Sequence, residues 1–278
     1  MKHITTFLIL LISISVFSQG PWTQEQGKWY TQASFSTIPN YDALFGDPDY
    51  NTERETTDNT LQFYGEYGIS DKTTLIINLP LKIIKTGNLT IPNSTPVLTD
   101  EGSETALGNI EISVRQNFYK KVWLLSGQFS LEANTSSFDD ATGIRTGYDA
   151  WSFKPLFLAG RSFKKSYLQT FAGASIRTND YSSSYKIGAE YGIKIIKSIW
   201  LAGFLDIEKS FENGSVVLPD SNLATGLYVN NQEYGVFGFK AIGEFSDDFG
   251  VTASLPSALF GNNVAKQVAF SFGLYKKF

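Results

Sequence analysis

Twelve segments of this chain alternate apolar and polar side chains with a period of two, and the connections between them alternate in length. Period two is the strand signature, because successive side chains of a strand point to opposite faces. The segments lie near 27–38, 58–69, 73–85, 108–119, 122–135, 149–162, 166–178, 184–196, 199–212, 231–245, 249–260 and 265–278. Tight turns at Ser70 to Lys72, Lys120-Lys121, Lys164-Lys165, Lys197-Ser198 and Ser246 to Asp248 alternate with other connections. Those others are longer and polar at 39–57, 86–107, 136–148 and 213–230, and shorter near 179–183 and 261–264. A soluble sandwich has no reason to alternate in this way. A barrel in an outer membrane does, with short periplasmic turns, longer outer loops and an even strand count. Each segment also has at least the ~9–11 residues that a tilted strand needs to cross. The expected fold is all-β: an antiparallel transmembrane β-barrel of about twelve strands, both termini in the periplasm.

The ends of the chain agree. Residues 1–18 read as a cleaved signal peptide: Lys2 and His3 begin it, and Phe7 to Val16 are apolar except for serines. Val16 and Ser18 suit the −3 and −1 cleavage positions, so the barrel is expected to occupy 19–278, starting at Gln19. The alternative, an anchor helix, is disfavoured because a bilayer span needs ~20 apolar residues. At the other end Val268, Phe270, Phe272 and Leu274 share a face and the chain finishes at Phe278. This resembles the terminal signal that the barrel-assembly machinery reads in outer-membrane proteins, carried here by Phe272, Leu274 and Phe278; Lys276 departs from the apolar alternation. The expected location is the outer membrane of a Gram-negative bacterium, with outer-membrane lipid, the assembly machinery and a small-molecule solute as partners. A formal charge of −4 gives no general attraction to nucleic acid.

The alternation assigns faces. Leu61, Phe63, Tyr67 and Ile69 oppose Gln62, Tyr64 and Glu66; Leu75, Ile77, Leu79, Leu81 and Ile83 point outward. Ile110, Ile112 and Val114 oppose Asn109, Glu111, Ser113 and Arg115, and Ile187, Ala189, Tyr191, Ile193 and Ile195 oppose Lys186, Gly188, Glu190 and Lys194. Polar-in and apolar-out is the lipid-embedded pattern, although a half-buried soluble sheet alternates too. Extended around the barrel, the assignment turns inward Glu66, Glu111, Glu132, Glu190, Asp206, Glu208 and Glu244, against Lys82, Arg115, Lys154, Arg177, Lys186, Lys194 and Lys240. Seven acids against seven bases read either as ion pairs that fill a small barrel or as a charged pore lining. These are the candidate lumen residues.

Aromatic side chains collect beside the tight turns: Tyr67, Phe118, Tyr119, Trp123, Phe163, Tyr167, Trp200, Phe245 and Phe249. Amphipathic rings prefer the headgroup layer, so they are expected to form the periplasmic girdle. Hairpins repeat: Gly65-Glu66-Tyr67 before Ser70-Asp71, with Leu79-Pro80 beyond, matches Gly243-Glu244-Phe245 before Ser246-Asp247, with Leu255-Pro256 beyond. Gly188-Ala189-Glu190-Tyr191 is a partial third copy. A proline cannot donate to a ladder, so bulges are expected at Pro80, Pro155 and Pro256.

Gly65 to Leu81, with its turn Ser70-Asp71-Lys72 and Leu79-Pro80, and Gly108-Asn109-Ile110-Glu111 opening the next strand, are similar to a family of outer-membrane barrels named for phenol degradation by the meta pathway. That family often has Asp where Asn109 stands here. The resemblance implies outer-membrane transport of small hydrophobic compounds; its motifs describe hairpins and no binding site.

Several chemistries are absent. The chain has no cysteine, and its one histidine, His3, lies in the expected leader. That removes histidine-dependent hydrolysis, thiol nucleophiles, and thiolate or imidazole metal sites. No motif supports a glycosidase, and no glycine loop cradles a phosphate. No enzyme activity, cofactor or metal is expected. Asp42, Asp47, Asp49, Glu53, Glu55 and Asp58 make the first long loop acidic; Asp47, Asp49 and Asn51 are spaced as in a calcium loop, but Thr52 stands where the turn glycine belongs, so a solvated loop is the better reading. The leading function is a channel or transporter for small solutes. The rival is a closed structural or surface-interaction barrel whose outer loops bind a partner.

Overall fold

The computed structural model describes residues 20–89 and 99–278. The leader expected over 1–18 lies outside the described residues. Twelve antiparallel staves form a closed wall. In chain order they are β1 (Trp29–Phe45), β2 (Tyr50–Ser70), β3 (Thr73–Leu89), a stave shared by β4 (Gly102–Leu107) and β5 (Glu111–Lys120), and β6 (Leu124–Glu132). After a small hairpin of β7 (Phe138–Asp139) and β8 (Ile144–Arg145) come β9 (Ser152–Ser162), β10 (Ser166–Arg177), β11 (Ser184–Ile196) and β12 (Ile199–Ser210). After helix α1 (Asp220–Thr225) follow β13 (Glu233–Glu244), β14 (Phe249–Asn262) and a last stave of β15 (Val264–Ala265) and β16 (Phe270–Lys277).

The first strand closes the barrel. Ala33 pairs with Phe63 of β2 on one side and with Leu274 of β16 on the other. At the seam the Phe278 N–H donates to the Trp29 carbonyl at 3.0 Å, and the Trp29 N–H to that of Phe278 at 3.3 Å. Closure pairs the first strand with the last, so neither is left as a free edge, as a sheet in lipid requires.

Three strands run well past the expected ends. The stretches 39–57 and 86–89 continue β1, β2 and β3 rather than forming loops, and β1 and β2 stay paired up to Leu44 and Tyr50. Above a membrane both faces of a hairpin meet water, so the apolar–polar contrast that marks a strand disappears there. Two acidic residues of this region are engaged by their neighbours: Asp42 accepts from Asn51 at 3.3 Å, and Asp49 accepts from the Gly46 N–H at 3.2 Å and from Lys266. The connection 136–148 holds the β7–β8 hairpin, and 213–230 holds α1.

The bulges expected at the prolines are a correction at Pro155 and Pro256, where the interrupted ladders resume in register; opposite Pro80 the neighbouring stave does carry one extra residue, since Asn78 and Leu81 pair with Glu111 and Leu107. Pro80, Pro155 and Pro256 each keep register with one neighbour, opposite Gln62, Phe129 and Gly238. On the other side the ladder is interrupted. Beside Pro80 the neighbouring stave passes from β4 to β5, and Pro80 O accepts from Gly108 N at 2.9 Å. Beside Pro155 the β9–β10 ladder skips from Leu156 to Phe153. Beside Pro256 the β14–β16 ladder stops at Ser254 and resumes as the single bridge Ser257–Val268. A strand residue turns its N–H and C=O to one side, so each missing donor faces a gap and costs no ladder bond. The register shift nearest to Pro256 falls at Leu259, which is left over where Gly235 and Val236 pair with Phe260 and Ala258.

Candidate functional site

Parity along the staves places one set of side chains on the outer surface and the other in the lumen. Outward positions such as Phe35, Phe63, Ile112, Phe129, Phe157, Ile193, Leu201, Phe239 and Phe272 are exposed all the way round the wall. Inward positions are buried against one another, and the lumen they fill has three tiers.

The tier beside the tight turns is aromatic. Tyr30 stacks on Tyr275 with ring centroids 5.6 Å apart, meets Tyr64 edge-on at 6.3 Å, and lies in one buried cluster with Tyr167, Trp200, Ala202 and Ile242. This corrects the expected girdle. Phe118, Tyr119, Trp123, Phe163, Phe245 and Phe249 are exposed on the outer face, whereas Tyr167 and Trp200 are 4% and 6% exposed inside. Tyr67 is half-buried, its ring 4.5 Å from that of Trp29. Tyr167 shares parity with Gln169, and Trp200 with Asp206 and Glu208, so their strands turn them inward whatever their affinity for headgroups.

The segment before β1 also enters this tier. The Ser126 hydroxyl donates to Pro21 O at 2.6 Å and Arg115 Nη1 to Trp22 O at 2.8 Å. Gln24 N donates to Thr74 Oγ1 at 2.8 Å, and Gln24 Nε2 to Glu66 Oε2 at 2.5 Å. The Trp22 ring sits edge-on to Tyr167. Two inward glycines make room: a Cβ at Gly68 would stand 1.9 Å from the Glu25 carbonyl oxygen, and one at Gly160 would stand 2.7 Å from the Pro21 ring. The segment therefore crosses the tight-turn end inside the barrel. No period marks it, and the sequence reading missed it.

The middle tier holds most of the charged candidates, joined in pairs. Arg115 meets Glu66 at 3.1 Å and also donates through Nε to Gln128 Oε1 at 3.0 Å. Lys154 lies between Glu111, at 2.9 Å, and Glu132. Glu208 receives Arg177 at 2.8 Å and Lys186 at 3.1 Å. Lys240 pairs with Glu190, which also accepts from Tyr167 at 2.7 Å and Gln169 at 3.0 Å. Lys194 meets Glu244 at 2.7 Å nearer the turns, and Lys82 meets Asp58 at 2.8 Å nearer the outer mouth. Asp58, assigned above to an acidic loop, is thus a lumen residue, and its parity with Gln62 and Glu66 was the available signal. Among the described residues Asp206 has no ion-pair partner within 4.0 Å, and its Oδ1 has no hydrogen-bond partner. A cavity of about 340 Å³ lies among these groups, bordered by Glu111, Arg115, Lys154, Lys186, Glu190 and Asp206 and also by Tyr64, Leu156, Phe171 and Phe204.

The outer tier is a lid made from the two inserted connections. Arg145 Nε donates to Asn222 Oδ1 at 3.0 Å, Ser221 to Asp140 at 2.7 Å, and Thr225 to Gly143 O at 3.0 Å. Ile84, Ile144 and Leu227 form a small apolar cluster beneath, with Tyr228 packed against it. Tyr148 stands edge-on to both Tyr181 and Tyr228 and carries the Arg177 guanidinium over its ring at 4.4 Å. Burial pushes the phenols of Tyr148, Tyr181 and Tyr228 above the usual tyrosine value, so the lid stays neutral at these rings. The expected assembly-signal residues Phe272, Leu274 and Phe278 are exposed on and beyond the outer face of β16.

No protein-family model matches the sequence, and no curated protein matches it. Solved structures do match its fold. A COG4313 outer membrane channel from Pseudomonas putida F1 is similar at a TM-score of 0.73 and 14% identity, over 95% of this chain and all of that one. The translocator domain of the autotransporter NalP from Neisseria meningitidis matches at 0.56 and 12% identity, over 92% of this chain and 90% of that domain. A KdgM porin matches at 0.53 and 7% identity, over 90% and 99% of the two chains. These likenesses establish the closed outer-membrane-type barrel; identities this low carry no cargo with them.

Proposed function

We propose that this chain is an outer-membrane channel for small solutes that have an apolar or aromatic part. The outer-membrane setting is supported by the continuous ring of exposed apolar side chains, far more than a water-soluble surface tolerates, on a closed barrel. The short motifs that resemble the meta-pathway barrels agree with it. The observation that carries the functional reading is the central cavity: ion-paired groups hold its wall open, while Tyr64, Leu156, Phe171 and Phe204 offer apolar surface to a solute. The charges are largely paired, so neither ion sign is strongly favoured. Phe272, Leu274 and Phe278 would serve assembly, presented on the last strand for the machinery to read.

Both mouths are covered, one by residues 20–27 and the other by the two-loop lid, and that favours a second reading as a closed interaction barrel. Planar-bilayer conductance separates the two. A channel shows small, weakly selective conductance that benzyl alcohol, occupying the cavity, reduces. Folded protein that passes neither ions nor small uncharged solutes overturns the channel reading in favour of the closed barrel.

A further inference from the structure

The five ion-paired acids of the middle tier, Glu66, Glu111, Glu132, Glu190 and Glu208, are matched by five bases; Asp206 is a sixth acid with no base of its own. It lines the central cavity, and Lys186, its basic neighbour, is held by Glu208 at 3.1 Å. One of its carboxylate oxygens is sealed from solvent, and no group among the described residues donates to it. A carboxylate in such a place is costly unless a cation or a donor reaches it.

The surroundings of Asp206 show what would fit. Gly188 on β11 pairs with Asp206 on one side and Phe171 on the other, so all three share one inward row. With no side chain at Gly188, the Phe171 ring leans over that position, where a Cβ would stand 2.4 Å from it. The Phe171 ring thus fills the space that Gly188 leaves, and the ring and an unpaired carboxylate both border one cavity. That pairing suits a protonated amine, which the carboxylate binds by a charge-assisted hydrogen bond and the ring attracts through its π face. Phe204, two residues from Asp206 on the same face, already carries the Lys240 ammonium 5.7 Å from its ring centre.

We propose that the part of the central cavity bordered by Phe171 and Asp206 is a binding site for the ammonium group of a small amphiphilic amine, whose apolar body lies against Phe171 and Leu156. The proposal rests on the lumen being the solute path. Isothermal titration calorimetry on the detergent-solubilised barrel tests it, with benzylamine and benzyl alcohol as probes and protein-free micelles as the blank. Benzylamine should bind at least tenfold more tightly than benzyl alcohol. Asp206→Asn should abolish that difference, and Phe171→Ala should weaken both probes. Equal binding of the two probes to the wild-type barrel overturns the proposal without any variant, as does an undiminished preference in folded Asp206→Asn. Gly188→Ala, which forces the Phe171 ring away, should lower benzylamine affinity, and unchanged affinity counts against the site. Conductance without an amine preference sinks this inference alone; an amine preference in a barrel that conducts nothing sinks the channel reading alone.

Discussion

The two ends of the barrel are closed by different physics. At the tight-turn end a single strap, residues 20–27, is tethered directly to β1 and lies on stacked rings, with its backbone carbonyls and Gln24 bound by Ser126, Arg115, Thr74 and Glu66. At the outer end two connections far apart in sequence hold each other through neutral or singly charged hydrogen bonds, Arg145 to Asn222, Ser221 to Asp140 and Thr225 to Gly143. The first closure shares its aromatic cluster with the wall. The second touches the wall through a smaller apolar patch of Ile84, Ile144 and Leu227 and through single hydrogen bonds such as Thr146 to Leu107 O at 2.8 Å and Asn109 to Tyr148 O at 2.9 Å. The difference teaches that the outer lid can open as a local event, whereas moving the strap exposes groups on which the wall itself is built. Local openings draw on the least buried, least interconnected segments.

The largest effect should follow from removing the strap. A variant lacking Gly20 to Gln26 is expected to raise single-channel conductance several-fold, because nothing then crosses the aromatic end. The paired change Arg145→Ala with Asn222→Ala should raise it less and make the channel noisier, as the lid opens and recloses. Planar-bilayer recordings decide. A larger rise from the lid variant would reverse the comparison and make the outer mouth the principal barrier.

Stability should rank the ends in the same order. Trp200→Ala removes a buried ring from a cluster shared by five staves and should cost about 3–5 kcal/mol. Asn222→Ala breaks bonds confined to the lid and should cost about 1–3 kcal/mol of lid closure, with the unfolding midpoint of the barrel little changed. Urea titration read by heat-modifiable gel mobility measures the first; proteolysis of the lid measures the second. A wall control sharpens both: Ile77→Arg or Ile193→Arg, facing lipid near mid-membrane, should cost about 2–4 kcal/mol, and Ser113→Arg, facing the lumen, clearly less. Equal losses at the three positions would mean that the faces are wrongly assigned.

How much of this was legible from the residues depends on where contrast exists. Within the membrane one face meets lipid and the other the lumen, so the parity of Glu66, Arg115, Glu190 and Lys240 is plain in the chain. The same parity turned Tyr167 and Trp200 inward, and they were misplaced because composition was weighed above phase. Above the membrane the contrast vanishes, which hid the upper halves of β1, β2 and β3. The strap and the lid leave no periodic trace at all. Trp22 and Gln24 are placed by partners about 50 to 145 residues away, Thr74 and Tyr167, and Arg145 by Asn222, 77 residues on; such pairings belong to the tertiary structure. The unpaired state of Asp206 is of the same kind, since a face assignment counts charges without telling which of them meet.

The smallest expected effect lies at the outermost point of the wall, where Lys266 beside β15 holds Asp49 at the tip of the β1–β2 hairpin. The hydrogen bond from Lys266 keeps the Asp49 carboxyl below its ordinary value of 3.8, with help from the Gly46 N–H. A lowered value in the folded state means that the clamp is fully present above the ordinary carboxylate range and is lost as pH falls through the lowered value. Both side chains are open to solvent and salt, so the contact steadies the tip and not the barrel. Amide hydrogen exchange at residues 45–50 should accordingly be slower at pH 7 in the wild type than in Lys266→Met, after correction for intrinsic rates. The two should converge once Asp49 is protonated, and high salt at pH 7 should narrow the gap. The Arg145–Asn222 contact of the lid does not involve Lys266, so corrected lid exchange at pH 7 should be the same in the wild type and in Lys266→Met. A lid that loosened together with the hairpin tip would show that the outer end opens as one unit, and the contrast drawn between strap and lid would then extend to the whole upper rim.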